Sequence, residues 1–370
     1  MPRNNEPHGI GPGPQEMADG RALFASLDHA QQLALAHEIA MTRGDELARA
    51  YPDVASLGFG FKTKKHSPRG REKLTGLPCV IFEVDRKLSL KAPRHARRHL
   101  PKELMTFIGP MDDRKLCVVP TDVKETKAFG RPRPRAGEPD RGFGIAVSLD
   151  DPQEGVGGNV AVSLQMGDGS LHAISCRHVL SRSLVNEPDI VGNARVSATL
   201  VGNWMPLGRT TSTRGRFIEA PELSFDAQLL RVADPNACRA AVGPLRFNSY
   251  LQSPGQLPGR FFVATPRIDV TGARIIVEVE QLDWNQARAM PYPFPRRMVM
   301  IAHALVFHGR TAEPLIRGDS GSPAMSTPQG GVLLGMYFGG DDENAYFIPA
   351  WQLFRAGNYG KPAVTWGMAG

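Results

Sequence analysis

Cysteine is scarce in this chain, with only Cys79, Cys117, Cys176 and Cys238 among its 370 residues. No two of them have the Cys-x-x-Cys spacing of zinc ligands or of thioredoxin-like redox pairs, so the sequence predicts neither a metal site nor another cofactor. A chain of this length does not depend on disulfide bonds for its stability, and few cysteines are typical of a reducing compartment.

Long apolar runs are also missing. No apolar stretch precedes Met17, which argues against a secretory signal. The longest apolar segment, 298–307, is interrupted by His303 and is too short to span a bilayer. We therefore expect a cytoplasmic protein that has no membrane partner.

Acidic side chains are too few to balance the basic ones. The 44 Lys and Arg and 37 Asp and Glu give a formal net charge of +7. The excess lies in three stretches, 62–71, 91–98 and 131–135, and none has the interleaved aromatic residues of a platform for single-stranded nucleic acid. We expect solvated loops and a linker there, with nucleic-acid binding as the weaker alternative.

Glycine and proline, in contrast, are abundant, with 39 and 31 residues, and both favour turns over long helices. The pattern along the chain predicts five segments: a disordered N-terminus at 1–14, a helical segment at 15–52, a small α/β module at 53–128, a Pro/Arg-rich linker at 129–140 and a domain of short strands at 141–370. Within the module we expect strands at 57–62, 77–84 and 117–119 and a short helix at 95–105. Many short strands between turns indicate a mainly β sandwich or barrel for the last segment.

A candidate nucleophile lies in the run Gly318-Asp319-Ser320-Gly321-Ser322-Pro323. The two glycines allow a tight backbone bend around Ser320. In such a bend the N–H groups of Gly318 and Ser320 can point to one spot and bind an oxygen that becomes negative during acyl transfer. A simple surface turn is the structural alternative, but the following Pro and apolar strand make the run less ordinary.

A candidate base and its orienting acid precede this run. His178 follows the apolar segment Ala173-Ile174-Ser175-Cys176, and histidine is the residue type whose ordinary charge change falls near neutral pH, which suits a general base. Asp226 begins the apolar run Ala227-Gln228-Leu229-Leu230, where a buried carboxylate needs a partner such as an imidazole Nδ1–H. Alone, the His would more often be a packed imidazole and the Asp a turn cap.

The order His178, Asp226, Ser320 resembles the chymotrypsin/trypsin family, and so do the segments SCRHVL, FDAQLLRV and RGDSGSP that contain them. The later segments GVLLGMYFGG and AYFIPAWQLF resemble the family's cleft strand and its C-terminal strand and helix. The resemblance implies a chymotrypsin-like double β-barrel, with the first barrel at about 141–245, the second at about 255–350 and a C-terminal helix. It also implies a serine endopeptidase that acts on protein or peptide substrates through an acyl-enzyme.

The same resemblance indicates where substrate specificity resides and how activation works. It points to Pro314, Tyr337, Phe338 and Gly339 as cleft residues, and it leaves the preferred cleavage site open. In family members made as zymogens a freed N-terminus pairs with the Asp that stands here as Asp319. No activation cut is evident in this chain, so we expect Asp319 to pair internally or to stabilise the loop.

The segment 57–125 resembles the module in front of the protease domain in narrow-leaf-type trypsin-like proteins of plants and their bacterial relatives. The fragments LGFGFKTK, VIFEVDRKLS, LPKEL and VPTDVKE carry this resemblance. It implies an intracellular protease regulated by its N-terminal region or by a protein partner, and by analogy a component of bacterial stress or defence pathways. The alternative is a protease-fold binding or scaffold protein with little or no turnover.

Overall fold

The computed structural model describes most of the chain. The described residues are 12–51, 54–65, 72–84, 100–125, 145–149, 157–180, 195–200, 203–211, 226–287, 290–294, 297–299, 304–311, 313–316, 318–340, 344–354 and 367–368. The chain divides into two compact units, unit 1 at 1–125 and unit 2 at 126–370. The predicted linker at 129–140 and residues 1–11 of the predicted disordered N-terminus at 1–14 lie outside the described residues, and Pro14 begins the first helix.

Unit 1 combines helices with a small mixed sheet. Its elements are α1 (Pro14–Ser26), α2 (His29–Thr42), α3 (Gly44–Ala50), β1 (Val54–Lys65), β2 (Glu72–Val84), β3 (Glu103–Ile108) and β4 (Lys115–Glu125). The strand order is β1-β2-β4-β3, in which β2 and β4 are parallel and the other pairs antiparallel. Asp28 caps α2 by accepting a hydrogen bond from Gln31 N, and α1 packs so closely on β4 that a Cβ on Gly20 would lie 2.7 Å from Val118 Cγ2.

The helix predicted at 95–105 is wrong where the structure describes it. Residues 103–105 belong to β3, and residues 95–99 lie outside the described residues. Leu104 is buried and its neighbour Met105 is exposed, which is the two-residue alternation of a half-buried strand. Pairing with β4, a tertiary contact, therefore overrides the helical preference of Leu and Met.

Unit 2 is built almost entirely from short antiparallel strands. Its strands are β5 (Ile145–Leu149), β6 (Val162–Gln165), β7 (Leu171–Ser175), β8 (Arg195–Leu200), β9 (Asn203–Thr210), β10 (Gln228–Val232), β11 (Arg246–Tyr250), β12 (Arg260–Ile268), β13 (Arg274–Ala287), β14 (Met290–Phe294), β15 (Arg297–Val299), β16 (Ala304–Thr311), β17 (Pro323–Thr327), β18 (Gly330–Gly340), β19 (Asn344–Pro349) and β20 (Gly367–Met368). Its short helices are α4 (Arg177–Leu180), α5 (Pro235–Val242) and α6 (Ala350–Leu353).

Two sets of six strands in unit 2 share one topology. The second set has the order β12-β17-β18-β19-β16-β13, and pairing of β13 with β12 closes it into a barrel. The first set has the corresponding order β5-β8-β9-β10-β7-β6, with β20 added beside β6. In each set the first strand pairs with the fourth and the third with the sixth. This repeat is the arrangement that the chymotrypsin-like resemblance implies, and the prediction of a mainly β fold with a barrel, preceded by helices and a small α/β module, is confirmed.

Aromatic rings fill the closed barrel. Phe261, Phe307 and Phe347 lie with ring centroids 5.0–5.5 Å apart, and Trp284 lies 5.0 Å from Phe307. These four side chains are fully buried, so each removes a large apolar surface from water and fixes the strands that carry it. The strand β16, which carries Phe307 and precedes the Ser320 segment, is therefore anchored in this core. Among the described residues no helix is long and apolar enough to cross a membrane.

Candidate active site

His178 and Asp226 are brought together by two neighbouring strands of the first set. β7 and β10 pair antiparallel with Ser175 opposite Gln228, so the residues just past the end of β7 meet those just before the start of β10. His178 Nδ1 lies 2.5 Å from Asp226 Oδ2, and His178 N donates to Asp226 Oδ1 at 3.0 Å. Asp226 is fully buried, whereas the His178 side chain keeps 11% of its surface exposed. The carboxylate thus fixes both the backbone and the ring of His178.

The turn that carries Ser320, here called the Ser320 turn (318–322), lies immediately before β17. Gly318 and Gly321 have φ angles of +100° and +89°, a region that other residues rarely occupy. A Cβ on Gly321 would lie only 2.1 Å from Asn159 O. Glycine is therefore required at 321 for two reasons, backbone conformation and lack of space.

The amide groups of the Ser320 turn divide into two sets. The N–H groups of Asp319, Gly321 and Ser322 donate to Ile316 O, Tyr337 O and Asp319 O. Within the part of the chain that the structure describes, Gly318 N and Ser320 N donate no hydrogen bond. These are the two amides that the sequence predicts for binding an oxyanion, and both are available for a ligand.

Two short hydrogen-bonded routes join the Ser320 turn to the segment of His178. In the first, Ser175 Oγ donates to Asn159 O at 2.5 Å and Asn159 N donates to Ser320 O at 2.7 Å. In the second, Cys176 Sγ donates to Tyr337 O at 3.3 Å, and the same carbonyl accepts Gly321 N at 2.8 Å. The routes begin at Ser175 and Cys176, which precede His178 by three and two positions. They end at Ser320 itself and at Gly321, the next residue.

Among the described residues, no hydrogen bond joins the Ser320 side chain to the His178 side chain, whose Nδ1 is bonded to Asp226. Such bonds are often long in an active site that holds no substrate and shorten when it is occupied. The structure thus joins the predicted base directly to its acid, and it holds the predicted nucleophile next to them through the backbone.

A buried ion pair stabilises the Ser320 turn from the barrel side. Arg267 Nε donates to Asp319 Oδ1 at 3.1 Å, and Arg267 Nη2 lies 3.1 Å from Asp319 Oδ2. Asp319 Oδ2 also accepts Ile316 N at 2.8 Å, so one carboxylate holds the chain before and within the turn. Burial raises the pKa of Asp319 to about 6, and the charge of Arg267 opposes that rise.

Of the residues predicted to line a cleft, Tyr337, Phe338 and Gly339 lie in β18, and Pro314 precedes the Ser320 turn. The ring of Tyr337 is buried 5.7 Å from the ring of Phe347, so it packs in the barrel, and its backbone bonds to Gly321 and Ser322 of the Ser320 turn. Phe338 and Gly339 are buried beside it in β18, and Pro314 is half-buried before the turn.

Cys176, His178 and Asp226 place three potential metal-binding atoms within 4.8 Å of one another. Burial raises the pKa of the Cys176 thiol well above its ordinary value, and the thiol donates a hydrogen bond to Tyr337 O. Since metal ions bind the thiolate, this thiol is not suited to hold one. All four cysteines of the chain are buried free thiols.

Two residues of the site have no counterpart in the sequence predictions. Arg267 could have been identified from the sequence, because it stands in the apolar strand β12 (Arg260–Ile268). A buried cation needs a partner of opposite charge, just as the buried carboxylate of Asp226 does. Asn159 had no such signal, because an Asn after several glycines is typical of an ordinary turn.

Comparison with known proteins gives only distant similarities. The chain matches no protein-family model and no curated protein. An inactive mutant of Rv3671c from Mycobacterium tuberculosis is 13% identical over 61% of this chain and 93% of that chain, with a TM-score of 0.34. The Nocardiopsis protease NAPase is 14% identical over 59% of this chain and 95% of that chain, with a TM-score of 0.34. The NS6 protease of murine norovirus 1 is 13% identical over 50% of this chain and 88% of that chain, with a TM-score of 0.25. We take no functional argument from similarities at this level.

Proposed function

We propose that this chain is a serine endopeptidase that cleaves protein or peptide substrates through Ser320, His178 and Asp226. The observation that carries the proposal is the hydrogen bond between His178 Nδ1 and Asp226 Oδ2, in a segment tied to the Ser320 turn. A buried carboxylate on Nδ1 selects the imidazole tautomer whose Nε2 can accept a proton, which is the state that a general base requires.

In the proposed mechanism Ser320 Oγ attacks the carbonyl carbon of a peptide bond while His178 Nε2 accepts the hydroxyl proton. The amides of Gly318 and Ser320 donate to the carbonyl oxygen as it becomes negative. His178 then protonates the leaving amine, and an acyl-enzyme remains on Ser320. A water molecule, deprotonated by His178, hydrolyses the ester, while Asp226 stays ionised and stabilises the imidazolium.

The ion pair of Arg267 with Asp319 supports an enzyme whose Ser320 turn forms without a proteolytic cut. The cation that Asp319 needs comes from the same chain, in a strand of the closed barrel. We further propose that the enzyme is cytoplasmic and that its activity is controlled by unit 1 or by a partner protein.

Labelling with a fluorophosphonate tests the proposal directly, since the probe forms a covalent bond only with an activated serine. We expect the full-length protein to be labelled at Ser320, as located by mass spectrometry of peptides, and the label to be absent in Ser320→Ala and His178→Ala. Ser326→Ala, which changes a serine in the β17–β18 hairpin, is the matched control and should be labelled normally. If the folded wild-type protein is not labelled before or after separation of unit 1, the scaffold alternative is favoured instead.

A further inference from the structure

Asn159 forms hydrogen bonds to the Ser320 turn and its surroundings through both its backbone and its side chain. Its backbone N–H donates to Ser320 O and its carbonyl accepts Ser175 Oγ. Its side-chain Nδ2 donates to Ser322 Oγ at 3.2 Å and to Ala264 O at 3.0 Å. Asn159 is only 1% exposed, so these bonds form where water does not compete.

The side-chain oxygen of Asn159 is held by an arginine. Arg274 Nη2 donates to Asn159 Oδ1 at 3.1 Å, and Val160 N donates to the same oxygen at 2.9 Å. Arg274 also donates to the carbonyl oxygens of Thr265, Val242 and Ala241. Because all of these acceptors are neutral, Arg274 anchors the amide of Asn159 by geometry rather than by charge neutralisation.

The space around Asn159 leaves little freedom for the Ser320 turn. A Cβ on the preceding Gly158 would lie 2.6 Å from Ser320 O, and one on Gly321 would lie 2.1 Å from Asn159 O. The two backbones are therefore in direct contact. Since the Asn159 side chain is bonded to Ser322, two residues after the predicted nucleophile, a shift of that side chain would also displace the turn.

From this arrangement we infer that Asn159 is a positioning residue for Ser320, an inference that rests on the proposed function. Its carbonyl is bonded to Ser175, three residues before His178, its backbone N–H to Ser320 O and its side-chain amide to Ser322 Oγ. Asn159 thereby sets the separation between the nucleophile and its base. Misplacement of reacting groups by about 1 Å can lower a rate by on the order of a hundredfold.

The test uses Ser322→Ala and Asn159→Ala in the full-length chain, with Ser326→Ala as the control that removes a part-buried serine hydrogen bond, to Val332 N, in the β17–β18 hairpin. Fluorophosphonate labelling is measured at several probe concentrations to separate the inactivation rate constant from the probe's dissociation constant. We expect the rate constant to fall at least about tenfold in both variants while the dissociation constant changes less than about twofold. Because the two side chains bond to each other, the double variant should be no slower than the slower single one.

Hydrogen–deuterium exchange of the peptide containing 318–322 is the second measurement, and it does not depend on activity. We expect faster exchange in Ser322→Ala and Asn159→Ala than in the wild type and Ser326→Ala. Unchanged exchange and an unchanged inactivation rate constant would overturn the positioning role. An unlabelled wild type would overturn the proposed function instead, and the exchange result would still decide whether Asn159 holds the turn. Ser322→Ala, the smaller change, covers the case in which Asn159→Ala does not fold.

Discussion

Arg267 and Asp319 form a buried ion pair beside the predicted nucleophile, with Arg267 Nε 3.1 Å from Asp319 Oδ1. Both side chains are almost entirely removed from solvent, at 5% and 0% exposure. A buried charge that loses its partner is strongly destabilising, and here the charge is inside the Ser320 turn. The pair therefore links the stability of the barrel to the geometry of the proposed oxyanion site.

Removal of the Arg267 cation should lower both the stability of the fold and the rate at which Ser320 is labelled. We expect Arg267→Met to lower the free energy of unfolding by about 3–5 kcal/mol and the rate of fluorophosphonate labelling at least about a hundredfold. Denaturant unfolding and labelling kinetics measure the two effects. Arg260→Met is the control on the same strand, since its exposed pair with Glu278 should contribute no more than about 1 kcal/mol. Partial recovery of stability in Arg267→Met/Asp319→Asn is expected, and equal stability of Arg267→Met and Arg260→Met would contradict the importance of the pair.

The raised pKa of Asp319 predicts a specific pH dependence. The pKa of this carboxyl is about 6 in the folded chain and 3.8 when the carboxyl is exposed to solvent. Between about pH 4 and pH 6 the folded state therefore holds a proton that the unfolded state has released. The contribution of Asp319 to stability therefore decreases as pH rises through this window, by about 3 kcal/mol in total, and is constant above it. The measurement is the difference in unfolding free energy between wild type and Asp319→Asn at several pH values. A difference that does not vary from pH 4 to pH 7 would rule out the raised pKa.

Replacement of the orienting acid should affect labelling far more than folding. Asp226→Asn keeps the size of the side chain but can present an N–H to His178 Nδ1, which favours the wrong imidazole tautomer. We expect the labelling rate to fall on the order of 10²–10⁴-fold. Asp234→Asn, which alters the capping residue of α5, is the control and should leave labelling unchanged. Similar labelling of the two variants would show that Asp226 does not orient the base.

Glycine at position 321 should be irreplaceable even by alanine. Gly321→Ala combines a positive φ with a Cβ position 2.1 Å from Asn159 O, so the turn has to move. We expect loss of labelling together with a destabilisation larger than the roughly 1–2 kcal/mol that the backbone conformation alone costs. Gly169→Ala has a similar φ of +78° with nothing within 4 Å of the new Cβ, and it separates the two effects. Wild-type labelling in Gly321→Ala would mean that the turn tolerates displacement.

Control by unit 1 can be tested in the intact chain. A cleavage site for a specific protease inserted within 131–135 allows the two units to be separated after folding. If unit 1 restrains the site, cleavage should raise the labelling rate at Ser320, whereas a chain that lacks this restraint should be labelled equally before and after the cut. The parent chain without the inserted site, treated with the same protease, is the control.

The sequence predicted the elements of the site that depend on local chemistry. A serine between two glycines, a histidine after an apolar strand and an aspartate at the start of one are each interpretable from a few neighbouring residues. The abundance of glycine and proline and the many short strands also predicted a mainly β sandwich or barrel, because turn residues and alternation act over short distances, and the resemblance to the chymotrypsin/trypsin family implied the barrel. The helix predicted at 95–105 was wrong, since the edge pairing of Leu104 with Val119 is a tertiary contact that no local pattern reveals.

By itself, then, the sequence determined which residues have the chemistry of a nucleophile, a base and an acid, and in what order they follow one another. The tertiary structure decided which other residues hold these three in position. Asn159 lies 161 positions before Ser320, Arg267 lies 52 positions before Asp319, and each meets its partner only because the strands of unit 2 pair in one register. Buried hydrogen bonds and ion pairs between distant segments depend on the whole barrel being packed, and for that reason they leave no pattern in the neighbouring residues.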